Sequence, residues 1–148
     1  SVAGVFSRLA GPLPGLSALS SHSGSMVLVS SSNGGVMSLA LVDTTTGTSV
    51  AIPLRTLVDK CVWTVDDTAI YCGVPSSPST NYGYPDDWYQ GAVHFSDRVW
   101  KMDVKRRFPQ LVLTPGGAFD IEAPALDPKG GVFVFINKND GSLWSYQL

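Results

Sequence analysis

Apolar and polar residues alternate along short stretches of this chain, and turns rich in Gly, Pro, Asp and Ser separate the stretches. Residues 60–72 show the pattern most clearly, because two alternating segments flank the polar pair Asp66–Asp67. Alternation with a period of two is typical of half-buried strands, so this stretch predicts a β-hairpin. The same pattern predicts related hairpins at residues 19–28 and 126–135.

The spacing of the three hairpins indicates a repeat. Leu19 and Trp63 are 44 residues apart, whereas Trp63 and Leu126 are 63 apart, and the excess of 19 falls in one insertion, residues 75–94. Each hairpin supplies strands A and B, and further alternating segments predict strands C and D. A unit of four strands with a period of about 44 residues is typical of a β-propeller blade.

The predicted fold is therefore all-β, an incomplete propeller segment of about three four-stranded antiparallel blades. The blades span about residues 16–54, 59–114 and 120–148, and residues 2–9 are predicted to be a strand of the neighbouring blade. The strand order is D-ABCD-ABCD-ABC, and no helix is predicted because apolar residues do not recur at helical spacing. Three blades are too few to close a ring, so we expect more chain or a second copy to complete it.

The two cysteines lie in the central hairpin. If its turn is centred on Asp66–Asp67, Trp63 faces Ile70 and Cys61 faces Cys72. Directly opposed strand residues are about 4.5–5.5 Å apart at their Cα atoms, a distance that a disulfide tolerates. A disulfide is predicted, which would indicate an oxidising compartment, and two reduced core thiols are the alternative.

Composition excludes several classes of partner. The chain has 148 residues, of which 44% are hydrophobic and 15% charged, with a formal net charge of −2. This charge does not favour nucleic acid, and no apolar run approaches the roughly 20 residues that cross a membrane. The chain begins with Ser, which suggests a processed product or an excised segment.

The insertion is the candidate binding surface, because loops that depart from a repeat commonly carry the function of the scaffold. Aromatic rings beside two carboxylates could hold a sugar or a peptide, the rings by stacking and the acids by orienting it. Alternatively, the rings fold back and cap the blades. The candidate ligand-binding residues are Tyr82, Tyr84, Asp86, Asp87, Trp88 and Tyr89.

No catalytic set, metal site or cofactor motif is predicted. His22 and His94 fall in different blades, and Asp86–Asp87 supplies few of the six to eight oxygens that calcium takes. The sequence does not exclude a pair of acids for glycoside hydrolysis, because the spacing of such a pair is set by the three-dimensional structure. The tryptophans on strands, Trp63, Trp100 and Trp144, are expected to be core residues.

Several segments carry a family resemblance. The turn at residues 126–131 and the following strand are similar to the WD40-like repeat of TolB-type propellers. Residues 60–63, 84–91 and 136–144 resemble the C-terminal half of a group of uncharacterised bacterial propeller proteins that begin with a membrane anchor. The resemblance implies an extracytoplasmic location and a longer chain, but no activity.

Together these observations predict a non-catalytic binding or assembly module outside the cytoplasm, whose insertion engages a protein or carbohydrate partner. One alternative is a purely structural piece that completes a propeller ring, for example as a six-bladed homodimer. A second, less favoured alternative is a glycoside hydrolase whose chemistry is completed by residues outside this segment.

Overall fold

The computed structural model describes residues 4–148, which form three antiparallel sheets. The first sheet contains β1 (Ser17–Ser20), β2 (Met26–Asn33), β3 (Val36–Asp43) and β4 (Ser49–Ile52). The second contains β5 (Cys61–Trp63), β6 (Ala69–Pro75), β7 (Asp97–Asp103) and β8 (Pro109–Leu113). The third contains β9 (Ile121–Leu126), β10 (Val132–Asn137) and β11 (Ser142–Gln147). This arrangement confirms the all-β prediction of an incomplete, three-bladed propeller segment.

Two short helical segments depart from the all-strand expectation. A 3-10 turn at Val58–Lys60 leads into β5, and helix α1 at Asp86–Tyr89 lies in the insertion, which connects β6 to β7. A helix of four residues is too short to leave a 3.6-residue periodicity in the sequence. None of the helices in residues 4–148 has the length and apolarity needed to cross a bilayer.

The predicted strand at residues 2–9 lies partly outside the described residues. Residues 4–9 belong to no sheet, and Val5 and Phe6 are fully exposed. An isolated strand is not stable in water without a neighbour, and the predicted neighbour is another blade. The role of this segment therefore stays a prediction.

Burial follows the alternation that the sequence shows. On β3, Met37, Leu39 and Leu41 are buried, whereas Val36 and Ser38 point to solvent. The inner faces of blades 1 and 2 meet in one core around Leu28, Trp63 and Ile70. A second core joins blades 2 and 3; its buried members are Tyr71, Val99, Ile121, Phe133 and Phe135.

Polar contacts also join blades 1 and 2. The indole Nε1 of Trp63 donates a hydrogen bond to the carbonyl of Leu19 at 3.0 Å. The carboxylate of Asp67 accepts the backbone N–H groups of His22 and Ser23, each at 2.8 Å. These contacts tie the A–B turn of one blade to the same turn of the next.

The central hairpin has the predicted register. Trp63 pairs with Ile70 and Cys61 pairs with Cys72, and the two cysteines form a disulfide with a Cα–Cα distance of 4.1 Å. Both cysteines are buried in the core shared by blades 1 and 2. The disulfide prediction is confirmed.

The expectation that three strand tryptophans are core residues is wrong for Trp144. Trp63 is buried and Trp100 packs partly against the same core, but Trp144 is 46% exposed. The reason is its position on β11, which is the outer strand of a three-stranded sheet. The equivalent strands β3 and β7 are each covered by a fourth strand.

Candidate functional site

The insertion folds back onto the blades rather than projecting into solvent. Tyr84 and Trp88 are 3% and 2% exposed, and they form a core with Met37, Leu57 and Phe95. The ring of Trp88 stacks on that of Phe95 with centroids 6.3 Å apart. A loop of this length needs such a core of its own to be ordered.

The backbone of the insertion packs against two glycines, one in the first blade and one in the segment that precedes it. Gly35 adopts φ +80°, and a Cβ atom there would overlap the backbone carbonyl of Thr80. Gly15 adopts φ +62° and lies equally close to the carbonyl of Tyr84. Glycine is required at both positions, because L side chains disfavour positive φ and the space is already occupied.

The six predicted ligand-binding residues do not form one surface. Tyr84 and Trp88 are buried and therefore not available to stack on a ligand. Tyr89 is 49% exposed, and its hydroxyl donates to Asp59 Oδ2 at 2.8 Å. Asp87 accepts the N–H of Gly83 at 2.7 Å within the loop itself. Tyr82 is half-buried and Asp86 is exposed, so a ligand contact by these two residues stays a prediction.

Beneath the insertion lies a buried charged cluster, Lys60–Asp97–Asp120. Lys60 Nζ is 2.6 Å from Asp97 Oδ2 and 2.6 Å from Asp120 Oδ1, and the side chains of all three are fully buried. Nζ also donates to the carbonyl of Ile121 at 2.9 Å. Its three donors are thus all used, as a buried ammonium requires.

The cluster is joined to the insertion through Trp88. Its Nε1 donates to both carboxylate oxygens of Asp120, at 3.0 and 3.1 Å. Lys60 Nζ lies 4.7 Å from the centroid of the Trp88 ring, within cation–π range. Because Lys60 precedes β5, Asp97 begins β7 and Asp120 precedes β9, the cluster holds the insertion, blade 2 and blade 3 together.

Sequence reasoning did not find this cluster. Lys60 is separated from Asp97 by 37 residues and from Asp120 by 60, so no local motif connects them. The available signal was Asp97, an acidic residue at a position where strand alternation predicts an inward side chain.

Burial raises the pKa of Asp97 to about 6, and the ammonium of Lys60 counteracts this only in part. The second oxygen of this carboxylate, Oδ1, is enclosed and has no hydrogen-bond partner within the described part of the chain. With both carboxylates ionised, the two negative charges exceed the single positive charge of Lys60, and the cluster carries one net negative charge. A proton on Asp97 removes that excess.

We expect the contribution of Asp97 to the stability of the protein to fall as the pH rises from 3.8 to about 6. The folded state keeps the Asp97 proton in this range while the unfolded state releases it, so the contribution is complete below pH 3.8 and lost above about 6. The check is the free energy of unfolding against pH for wild type and Asp97→Asn. The difference between the two curves removes the contributions of groups outside the cluster, and parallel curves would contradict the assignment.

Residues 4–148 contain no group of three or more His, Cys, Asp or Glu side chains placed to hold a metal ion. His94 Nδ1 lies 3.8 Å from Asp120 Oδ2 and is half-exposed, whereas His22 is in the A–B turn of blade 1. The two histidines therefore do not meet. The non-catalytic prediction rests on the sequence argument and is not tested by this arrangement.

Comparison with protein-family models and with curated proteins finds no match. Among solved structures, TolB from Acinetobacter baumannii is similar, with a TM-score of 0.60 and 18% identity over 90% of this chain and 29% of that one. The propeller domain of the Trilobed protease from Pyrococcus furiosus gives 0.60 and 10%, over 91% and 39%. A TolB-type protein from Agrobacterium tumefaciens gives 0.56 and 12%, over 93% and 50%.

These likenesses confirm the resemblance to TolB-type propellers at the level of the fold. The chain spans half or less of each of these three structures. One of them is a domain of a protease, so the shared fold does not by itself indicate an activity.

Proposed function

We propose that this β-propeller segment is a non-catalytic assembly module whose third blade is completed by a fourth strand from outside the described residues. The observation that carries the proposal is the free edge of β11. In blades 1 and 2, strands β3 and β7 pair on both sides, whereas within residues 4–148 β11 pairs with β10 alone. Unpaired strand edges are surfaces to which another strand adds.

Exposed apolar side chains on β11 support this role. Leu143 is 72% exposed, Trp144 46% and Tyr146 38%, and exposed apolar side chains that cluster in one place are typical of an interaction surface. A fourth strand would bury them and would pair with the free backbone groups. The insertion is a weaker candidate for the main contact, because Tyr84 and Trp88 are buried and hold it in place.

The disulfide supports a location outside the cytoplasm. Cys61 and Cys72 are joined, and such bonds persist in oxidising compartments. An extracytoplasmic address is therefore part of the proposal.

Edge substitutions test the assembly role. We expect a Trp144→Lys/Tyr146→Lys variant to lose association between copies of the chain. Size-exclusion chromatography with light scattering measures this association. The control is Val65→Lys, at a residue 56% exposed in the A–B turn of blade 2, and it should behave as wild type. The complete gene product provides a second arm, in which hydrogen exchange of the β11 amides reports a covering strand. If the edge substitutions change neither association nor exchange, the proposal is wrong.

A further inference from the structure

A cleft lies in the groove between blades 1 and 2, at the end of the blades that carries the insertion. Its volume is about 270 Å³, close to the lower limit of about 300 Å³ for small-molecule sites. The walls come from the connection after β4, the end of β6, the first half of β7 and the first residue of β8. The insertion begins at its rim, since Pro75 and Ser76 line it.

Two guanidinium groups line this cleft without acid partners. Arg55 enters from the connection between blades 1 and 2, and Arg98 enters from β7; both are exposed. Neither forms an ion pair with any residue of the described chain. No Asp or Glu lines the cleft, although the chain carries a net charge of −2.

Trp100 supplies a third unused donor and an apolar wall. The Nε1 atoms of the other three tryptophans donate hydrogen bonds to Leu19, Asp120 and Ser142. Nε1 of Trp100 has no acceptor in residues 4–148, and it is not enclosed, because Asp97 Oδ1 is the one enclosed side-chain atom there without a partner. The half-buried indole packs on the core and turns its free part to the cleft.

We propose that this cleft binds a carboxylate-bearing sugar, a uronic acid. The guanidinium fork of an arginine pairs with a carboxylate through two parallel hydrogen bonds. The indole offers a flat apolar surface for the C–H face of a sugar ring, and its N–H can donate to a ring hydroxyl. A simple phosphate would use the arginines but leave the indole surface uncovered.

The prolines of the lining favour a sugar over a peptide. Pro53, Pro75 and Pro109 face the cleft, and none of them has a backbone N–H. An extended peptide is normally held by alternating backbone donors and acceptors, and at these three positions the walls supply no donor.

A neighbouring cavity gives room for a second sugar unit. Its volume is about 310 Å³, and it shares Arg55, Pro75 and Ser76 with the first cleft. Thr80 of the insertion and Gly35 of blade 1 line its far side. Arg55 therefore stands between the two cavities, and a uronic-acid disaccharide is expected to bind more tightly than the monosaccharide.

Titration calorimetry with digalacturonic acid tests the site. We expect saturable binding by the wild-type chain and at least about tenfold weaker binding by Arg98→Gln and by Arg55→Gln, because each loses a charge-assisted pair. The matched control is Arg106→Gln, which changes an exposed arginine in the turn between β7 and β8 and should bind as wild type. Thermal unfolding of each variant verifies that the fold is retained.

Neutral and inorganic probes distinguish the alternatives. The neutral disaccharide galactobiose should bind at least about tenfold more weakly, since it lacks the carboxylates. Inorganic phosphate should compete only weakly. Absence of digalacturonate binding, equal binding of the neutral sugar, full competition by phosphate, or an equal loss in Arg106→Gln would each overturn the proposal.

Discussion

Replacing Lys60 with methionine is expected to lower the free energy of unfolding by about 3–5 kcal/mol. The side chain that is lost holds two buried carboxylates, each 2.6 Å from Nζ, and the carbonyl of Ile121 at 2.9 Å. Without it, Asp97 and Asp120 face each other in a site with no access to water. Methionine fills a similar volume, so the effect reports the lost charge rather than a cavity.

Denaturant unfolding with the disulfide intact measures this change. The control is Lys129→Met, at an exposed turn residue between β9 and β10, for which little change is expected. Adding Asp97→Asn to the Lys60→Met variant should recover part of the loss, because it removes one of the two unpaired charges. A Lys60→Met variant as stable as the control would contradict the role given to the cluster.

The parts of this fold that could be predicted from sequence are local. Alternation of apolar and polar residues and the turn residues between them predict the A–B hairpins. The register of the central hairpin follows from its centre at Asp66–Asp67. That register places Cys61 opposite Cys72, where the structure has the disulfide. The third strand of each blade carries the same alternation, so the repeat could be extended from one hairpin to the whole chain.

The parts that could not be predicted depend on contacts between distant segments. Aromatic residues in a long loop suit a ligand surface and a small core equally well, and sequence does not show which face of the loop meets the blades. Gly15 and Gly35 allow the backbone of the insertion to approach the first blade and the segment before it, which favours a small core. Asp120 favours the same arrangement, because it accepts the indole N–H of Trp88. Burial of Trp88 and Tyr84 follows from these contacts.

The charged cluster and the open edge of β11 lie at opposite ends of blade 3. Lys60, Asp97 and Asp120 fix blade 3 against blade 2 at the inner end, where β5 and β9 begin. At the outer end, the same blade leaves β11 uncovered. A firmly held third blade presents its free edge in a defined orientation, which is what a strand-pairing surface requires.

Replacing Trp88 with alanine is expected to lower the free energy of unfolding by about 3–5 kcal/mol, the usual cost of truncating a buried aromatic residue. The variant loses the packing of the ring on Phe95 and its cation–π contact with Lys60. It also removes the indole N–H that Asp120 accepts, although Lys60 and the N–H of Phe95 still serve that carboxylate. Denaturant unfolding measures the loss.

The adjacent residue provides the matched control, because Tyr89 is 49% exposed and Tyr89→Ala should change stability by much less. Limited proteolysis then distinguishes a local effect from a global one. If the insertion is held mainly by Trp88, cleavage between residues 76 and 96 should accelerate in Trp88→Ala more than cleavage elsewhere, since the pairing of β3 with β4 does not involve the loop. Equal stability and equal cleavage for Trp88→Ala and Tyr89→Ala would mean that the Trp88 ring does not hold the loop. The insertion would then again be the leading candidate for a ligand-binding surface.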